Sequence, residues 1–282
     1  MTSALACPEC QAGLSASDRS LRCARGHSFD IAKQGYITLL TGASTKMTGD
    51  TAAMLDARAA FQGGGHFVPI ADAVVAAVAG DSSPGVPGPA EPASELMLEI
   101  GAGTGYYLGR VLDARPHADG IALDVAKAAG RRGARAHPRA AAVVADAWRG
   151  LPLRDNTVDA ALSVFAPRNP DEVARVLSTR GRFVVVTPTG RHLAELIEPL
   201  GMVSVDPDKQ ERLTATMSRA FELCTRGTVE YPMKLSRTDI TQVVAMGPSA
   251  HHANAAAAGI AALPDVTEVT ASVVVSTYRP TA

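Results

Sequence analysis

The sequence predicts an α/β protein with a doubly wound, mainly parallel sheet, preceded by a small cysteine-rich N-terminal module. Strand-like and helix-like segments alternate from residue 96 to residue 187, a rhythm typical of parallel sheets. An apolar segment over residues 96–100 runs directly into three closely spaced glycines. Three of the four cysteines lie within the first 23 residues. These three observations define the central strand, the ligand-binding turn and the N-terminal module.

Composition and charge set the broad class of the protein. The chain has 282 residues, of which 46% are hydrophobic and 20% charged, as in ordinary globular proteins. Neither a run approaching eighteen apolar residues nor the charged-then-apolar start of a signal peptide is present, so we expect a cytoplasmic protein without a membrane partner. A formal net charge of -1 does not favour nucleic-acid binding, so such a partner must be inferred from local features.

The N-terminal cysteines have the spacing of a zinc site. Cys7 and Cys10 are separated by two residues and can approach one metal from a tight turn, and Cys23 and His27 can complete a tetrahedron. The sequence therefore predicts a closed, structural zinc site with no open position for a substrate. Metal binding would supply folding free energy that so short a segment cannot obtain from a core. A redox pair at Cys7 and Cys10, with unrelated Cys23 and His27, is the alternative.

The segments around this module divide the chain. We predict a zinc-binding domain over residues 1–42 and a second domain over residues 43–282, with a strand at 34–40 leaving the module. Helices are predicted over residues 50–61 and up to about residue 79, and residues 81–94 are predicted to form a flexible loop. Cys224 is predicted to lie on a helix as a small core residue.

The glycine-rich turn after residue 100 is typical of a ligand site. Glycines at 101, 103 and 105 let the backbone turn tightly where a Cβ would collide with a ligand, and Glu99 precedes them. A tight turn without a ligand is the alternative. A dinucleotide fingerprint requires glycine at its sixth position, where this chain has Tyr106.

The next two predicted strands end in acids. Asp124 follows residues 120–123 and Asp146 follows residues 141–145. Ligands of open α/β sheets lie beyond the carboxyl ends of the strands, so Asp124 could accept ribose hydroxyls and Asp146 could lie near an adenine. Helix capping is the alternative for Asp124. The basic helix predicted over residues 127–136 is interpreted as a solvated face, with an RNA-facing patch as the alternative.

Together these features resemble class I (Rossmann-like) S-adenosylmethionine methyltransferases over residues 96–282. The resemblance rests on an acid that precedes glycines at the first, third and fifth positions of the turn, and on the acids that end the second and third strands. It implies that Gly101, Gly103 and Thr104 line the methionine part of the cofactor, with Glu99 and Gly105 as further cofactor-binding residues. It also implies that Asp124 holds the ribose and that Asp146 lies near the adenine.

The whole chain resembles the RlmA family of 23S rRNA guanine-N1 methyltransferases. The resemblance includes the cysteine and histidine module, residues 29–36, residues 65–69 and the methyltransferase core. Residues 164–170, 191–196 and 244–249 are more similar to its tylosin-resistance branch. The family implies cofactor contacts at Gly103, Thr104 and His192. Phe67 stands where some members have Tyr, so stacking is retained but a hydroxyl contact is absent.

The same resemblance implies the substrate and the assembly. The tylosin-resistance branch methylates a guanine in a domain II hairpin loop of 23S rRNA at the peptide exit tunnel, where macrolides bind. The family is also dimeric, and its zinc modules help to form an RNA cleft. S-adenosylmethionine and structural zinc are therefore the implied cofactors, with 23S rRNA and a second copy of the chain as partners.

The segment after the fourth predicted strand carries the candidate catalytic residues. Base methyltransferases often have an Asn- or Asp-Pro-Pro-aromatic motif there, and this chain departs from that motif. We hypothesise that Phe165 stacks on the target base and that Arg168 or Asn169 bonds the base or a phosphate. Purely stabilising roles are the alternative, and because no general base is evident, proton loss to water stays open.

Two other functions compete with RNA methylation. A small-molecule methyltransferase would share the cofactor core but would have no use for the zinc module. A non-catalytic zinc-bearing RNA-binding protein would not need the glycines or Asp124, which are intact here.

Overall fold

The computed structural model describes residues 1–40, 47–80, 94–204, 209–247 and 253–281. The predicted loop over residues 81–94 lies outside the described residues except for Ser94. The predicted domain boundary at residue 42 and residues 248–249 of the branch-specific segment also lie outside them.

The N-terminal module is a small antiparallel sheet. After a 3-10 turn at Thr2–Ala4, it contains β1 (Leu14–Ser17), β2 (Ser20–Cys23) and β3 (Ser28–Asp30), in that order. The predicted strand at residues 34–40 is present as β4 (Tyr36–Thr38). It pairs in parallel with β7 of the main sheet, and Ile37 also forms an isolated antiparallel bridge with Ile31, next to β3.

The remaining elements alternate as predicted through the centre of the chain. In order they are α1 (Ala52–Gly63), α2 (Val68–Ala79), β5 (Glu95–Ile100), α3 (Tyr106–Ala114), β6 (Ala118–Asp124), α4 (Lys127–Ala136), β7 (Ala140–Val144), β8 (Val158–Val164), α5 (Pro170–Val176), β9 (Leu177–Pro188), α6 (Ala194–Leu200), α7 (Lys209–Met217), β10 (Phe221–Ser236), α8 (Arg237–Ala245), α9 (Ala253–Ala262) and β11 (Val266–Pro280).

The main sheet confirms the predicted doubly wound architecture. Its eight strands have the order β10-β11-β9-β8-β5-β6-β7-β4. In this spatial order, every neighbouring pair from β9 to β4 is parallel, whereas β11 is antiparallel to both β9 and β10. β5 lies between β6 and β8, so the winding direction reverses beside it. A ligand crevice is therefore expected beyond the carboxyl ends of β5 and β8.

The side chains on both faces of the central strand β5 are buried, and the two faces pack into different hydrophobic clusters. Met97 packs into the cluster with α2, α3 and α8, whereas Leu96 and Leu98 belong to the opposite cluster. This division follows from the alternation of side chains along a strand. The second cluster also contains Leu14 and Leu21 of the N-terminal module. The module therefore shares a hydrophobic core with the main sheet.

Backbone hydrogen bonds also join the module to the main domain. The N–H of Ala6 donates to the carbonyl of Pro152 at 3.0 Å, and the N–H of Arg154 donates to the carbonyl of Ala4 at 2.8 Å.

Among the described residues, no helix has both the length and the apolar character needed to cross a bilayer.

The prediction for Cys224 is wrong. This residue lies in β10 and its side chain is exposed. β10 is an edge strand whose backbone is paired with β11 while many of its side chains face outward. Such a strand lacks the alternation of buried and exposed residues that identifies strands from sequence.

Candidate active site and metal centre

The four predicted metal ligands converge on one point. Nδ1 of His27 lies 3.4 Å from Sγ of Cys7 and 3.3 Å from Sγ of Cys23, and Sγ of Cys10 lies 3.7 Å from Sγ of Cys23. All four ligand atoms lie within 4.8 Å of one another. Zinc with bonds of about 2.3 Å to sulfur and 2.0 Å to nitrogen places tetrahedral ligands roughly 3.5 to 3.8 Å apart. The donor set and its spacing therefore fit structural zinc.

Two thiols of the cluster have pKa values that are shifted in opposite directions. Against the effect of burial, hydrogen bonds from the backbone amides of His27 and Arg25 lower the pKa of Cys23 to about 6. Burial raises the pKa of Cys7. Because zinc binds thiolates, its binding is coupled to the release of thiol protons.

A cavity of about 740 Å³ opens at the carboxyl ends of the central strands. Seven of the predicted site residues line it: Phe67, Glu99, Gly101, Asp124, Asp146, Phe165 and His192. Its position beside the reversal of winding at β5 is the one expected for a ligand of this fold. The sequence prediction thus places most of its candidates around one cavity.

The glycine turn packs against protein atoms as well as bordering the cavity. Gly101 and Gly105 have φ values of +68° and +77°, in the region that favours glycine. A Cβ at Gly101 would lie 2.6 Å from Cβ of Ala166, and one at Gly105 would lie 2.6 Å from Cβ of Ala136. Both glycines are therefore required by conformation and by packing.

Asp124 organises the turn. Its Oδ2 accepts a hydrogen bond from the N–H of Gly103 and its Oδ1 accepts one from the N–H of Ala126, each at 2.9 Å. The carboxylate therefore joins the glycine turn to the start of α4. Its remaining lone pairs are available on the cavity side, because each oxygen can accept more than one bond. The capping alternative is wrong, because the N-cap of α4 is Ala126 and no side chain caps that helix, while the ligand role stays a prediction.

Glu99 lies behind the turn and is buried. Its Oε2 accepts a hydrogen bond from the N–H of Leu108 at 3.1 Å. Burial, together with the charge of Asp124, raises the pKa of Glu99 to about 8 despite that hydrogen bond and the nearby charge of Arg58. A cationic ligand in the cavity would favour the ionised carboxylate.

Three aromatic rings form a cluster at one side of the cavity. Phe165 stacks on His192 with ring centroids 5.5 Å apart, and Phe67 lies 6.0 Å from each of them. Phe165 is 40% exposed and has a φ of +55°. Such a conformation is uncommon outside glycine and is concentrated at functional sites. The cluster offers an exposed aromatic surface beside the glycine turn.

His192 is held as a neutral hydrogen-bond donor. Its Nδ1 accepts a hydrogen bond from the N–H of Ser272 at 3.2 Å, so a neutral ring carries its proton on Nε2. Burial lowers the pKa of His192 to about 4. At neutral pH this side chain therefore donates through Nε2 and does not act as a base there.

The comparisons with known proteins cover both parts of the chain. A family model described as the N-terminal zinc ribbon of RlmA matches residues 5–44, and a methyltransferase-domain model matches residues 97–184. A Micromonospora griseorubida protein named "Putative 23S rRNA (guanine-N(1)-)-methyltransferase" is 47% identical over 98% of this chain and 97% of its own length. The 23S rRNA (guanine(748)-N(1))-methyltransferase of Streptomyces fradiae is 43% identical over 98% of this chain and 96% of its own.

The chain belongs to the 23S rRNA (guanine-N1)-methyltransferase family. Its cofactors are S-adenosylmethionine and structural zinc, as predicted. The cavity fits this family's methyl donor, because acids line it around a glycine turn. Tyr107 also lines the cavity, and its buried hydroxyl has no hydrogen-bond partner among the described residues.

Two of the three candidate catalytic residues are not among the described residues that line the cavity. Arg168 and Asn169 are absent from the described residues that line it, whereas Phe165 is among them. Nδ2 of Asn169 donates to the carbonyl of Ala147 at 3.3 Å. The Nη1 of Arg168 is buried and has no hydrogen-bond partner within the described ranges, and burial lowers the pKa of this guanidinium.

Several residues that line the methyltransferase cavity were missed by the sequence analysis. Arg58 and Gln62 are one turn apart on α1 and both face the cavity, as does Trp148, which is 52% exposed. Oε1 of Gln62 accepts a hydrogen bond from the hydroxyl of Thr104 at 2.7 Å. The one sequence feature that could have indicated Arg58 and Gln62 is their spacing of four on α1, the first of the two helices that precede the glycine turn.

Proposed function

We propose that this protein, acting as a homodimer, methylates N1 of one guanine in the domain II hairpin loop of 23S rRNA at the peptide exit tunnel. We further propose that this modification confers resistance to tylosin-type macrolides. The observation that carries the proposal is the similarity to the two actinobacterial relatives, which extends over the zinc module and the cofactor domain alike. The Streptomyces fradiae relative is named for guanine 748, which is the target we propose here.

The proposed reaction makes specific demands on the cavity. N1 of guanine carries a proton and is a weak nucleophile, so it must be held in line with the methyl group while that proton is lost. Bound S-adenosylmethionine supplies an electrophilic methyl group. The base must also leave its stack, which costs least in a loop. The exposed ring of Phe165 offers a surface on which an extruded guanine can stack.

We also propose that the N1 proton is lost to water and not to His192, Glu99 or Asp124. His192 is a donor through Nε2, for the reason given above. Glu99 lies beneath the glycine turn and Asp124 uses both oxygens to hold it. His192 is assigned to the cofactor, as the family resemblance implies, and its Nε2–H is the atom that would make the contact.

Primer extension on 23S rRNA that lacks the modification tests the proposal. We expect incubation with the protein and S-adenosylmethionine to produce a reverse-transcription stop at one domain II guanine, because N1 methylation blocks Watson–Crick pairing. Reactions without S-adenosylmethionine provide the control. A protein that binds S-adenosylmethionine but produces no stop would contradict the proposal and favour the small-molecule alternative.

The resistance and assembly parts of the proposal have separate measurements. A tylosin-sensitive host that expresses the protein should become resistant, and unchanged sensitivity despite a methylated guanine would contradict the resistance claim.

Light scattering should give twice the 29.1 kDa mass of one chain. A fully active single-chain species would contradict the homodimer.

Removing the exposed ring of Phe165 is expected to weaken RNA methylation. The change Phe165→Ala should lower kcat/KM for RNA by roughly 5- to 100-fold, because stacking of a base on an aromatic ring contributes about 1 to 3 kcal/mol. Phe165→Tyr should retain most activity. Leu223→Ala is the matched control, because Leu223 is 42% exposed on β10 and is not among the cavity residues.

The same assay tests the hypothesis for Arg168 and Asn169. Single-turnover methylation measured on Arg168→Ala and Asn169→Ala should fall while S-adenosylmethionine binding persists. Wild-type turnover in both variants would remove these two residues from the mechanism and leave them a stabilising role.

A further inference from the structure

The formal charges around the cavity are strongly unequal. Among the described residues that line it, the ionisable acids are Asp50, Glu99, Asp124 and Asp146, and the one lysine or arginine is Arg58. S-adenosylmethionine carries a sulfonium, an ammonium and a carboxylate. An acid-rich wall suits the two cationic groups, but the carboxylate needs a cationic or N–H donor partner. Among the described lining residues, Arg58 is the one lysine or arginine, and it lies beside the glycine turn.

Arg58 reaches the glycine turn from α1. A Cβ at Gly103 would lie 2.7 Å from Nη1 of Arg58, so the guanidinium packs directly against the turn. One helical turn further on, Gln62 accepts the hydrogen bond from Thr104. Helix α1 therefore forms a polar wall along the part of the turn that the family resemblance assigns to the methionine end of the cofactor.

The guanidinium is oriented before any ligand binds. Its Nη2 lies 2.7 Å from Oδ2 of Asp50 and donates to the carbonyl of Met246 at 2.9 Å. Both contacts use Nη2, and Nη1 is the nitrogen that faces Gly103. An arginine has five N–H donors in a rigid planar arrangement, so the donors on the Nη1 side stay available for a carboxylate.

We propose that Arg58 binds the α-carboxylate of the amino-acid end of S-adenosylmethionine. The assignment rests on the proposed function in one respect, namely that the ligand is S-adenosylmethionine. It does not depend on which RNA is methylated. It makes Arg58 a binding residue on a helix outside the methyltransferase motifs. Asp50 and the carbonyl of Met246 are positioning groups, because they hold the guanidinium and act on the ligand through it.

Calorimetry with a matched pair of ligands tests this assignment. S-adenosylhomocysteine contains the carboxylate, and its decarboxylated analogue S-adenosyl-3-thiopropylamine lacks it but retains the rest of the molecule. The change Arg58→Met should weaken binding of S-adenosylhomocysteine by about 10- to 100-fold, the range for a charge-assisted pair. Binding of the analogue should change by less than about 3-fold. Arg58→Lys should give an intermediate loss for S-adenosylhomocysteine alone.

Arg132 offers the control variant. It lies on α4 and contacts Asp56 and the carbonyl of Ala52 on α1, yet it is not among the lining residues. Arg132→Met therefore removes another arginine that anchors α1, and it should leave the affinity for both ligands unchanged.

The outcomes separate this assignment from the proposed function. If Arg58→Met or Arg58→Lys weakens both ligands equally, the guanidinium only supports the fold and the assignment is overturned. Unchanged binding of S-adenosylhomocysteine in Arg58→Met would overturn it as well. If the wild-type protein binds neither ligand, the proposed function fails first, and this assignment fails with it.

Discussion

Replacing Asp124 with alanine is expected to weaken S-adenosylmethionine binding by about 100- to 1000-fold. The change removes the acceptor for two backbone N–H groups, those of Gly103 and Ala126, and leaves both without this partner. An unsatisfied buried donor costs about 1 to 3 kcal/mol, and loss of the predicted ribose contact adds to this. Because Arg58 packs against Gly103, displacement of the turn should also disturb the carboxylate contact that we propose for Arg58.

Asp159 provides the matched control for Asp124. Its Oδ2 accepts a hydrogen bond at 2.9 Å from the N–H of Leu96, near the start of β5, the strand that leads into the glycine turn. Asp159→Ala therefore removes a similar carboxylate-to-backbone bond at the opposite end of the sheet. Calorimetric titration with S-adenosylmethionine should give near-native affinity for Asp159→Ala. Equal losses in the two variants would mean that general destabilisation, and not the site, explains the Asp124 effect.

The parts of the site that lie in one continuous segment were predictable. The acid, the glycines and the following helix form one local unit, and their residue types are dictated by the tight turn itself. The metal ligands were predictable for a similar reason, since the spacing of Cys7, Cys10, Cys23 and His27 is a property of the coordination geometry.

The parts built by long-range packing were not predictable. Arg58 meets Gly103 across 45 positions of sequence and Met246 across 188, and no local pattern specifies such contacts. Phe165 and Arg168 are only three residues apart, yet Phe165 lines the cavity, whereas Arg168 does not and its Nη1 is buried without a hydrogen-bond partner among the described residues. The direction of a side chain in an irregular segment depends on its φ and ψ angles, which the sequence does not reveal.

The position of the N-terminal module relative to the sheet was also beyond the sequence. The sequence predicts a separate zinc-binding domain over residues 1–42, but Leu14 and Leu21 pack in the same cluster as Leu98 of β5. The short strand β4 joins the edge of the main sheet beside β7. A metal site and a cofactor site that were predicted as separate units therefore share one core.

Because of this shared core, removal of zinc is expected to have the largest effect on stability. Cys7 and Cys23 are buried in that cluster. Without the metal, the three thiols and the imidazole would no longer be joined by coordination bonds, and the module would lose its main stabilising interaction. Structural zinc contributes about 10 to 16 kcal/mol of binding free energy, comparable to the whole stability of a typical domain. We expect the change Cys23→Ala, or chelation, to lower the unfolding temperature by roughly 10 °C or more.

Metal analysis and thermal unfolding on matched cysteine variants test this expectation. The wild-type protein should contain one zinc ion per chain, whereas Cys23→Ala should lose it and show weaker S-adenosylmethionine binding through the shared core. Cys224→Ser is the control, because Cys224 is exposed on β10 and is not part of the four-ligand cluster. It should retain both the metal and the unfolding temperature. If zinc-free protein unfolds at the same temperature and binds the cofactor as tightly, the module is energetically independent of the sheet despite the packing of Leu14 and Leu21.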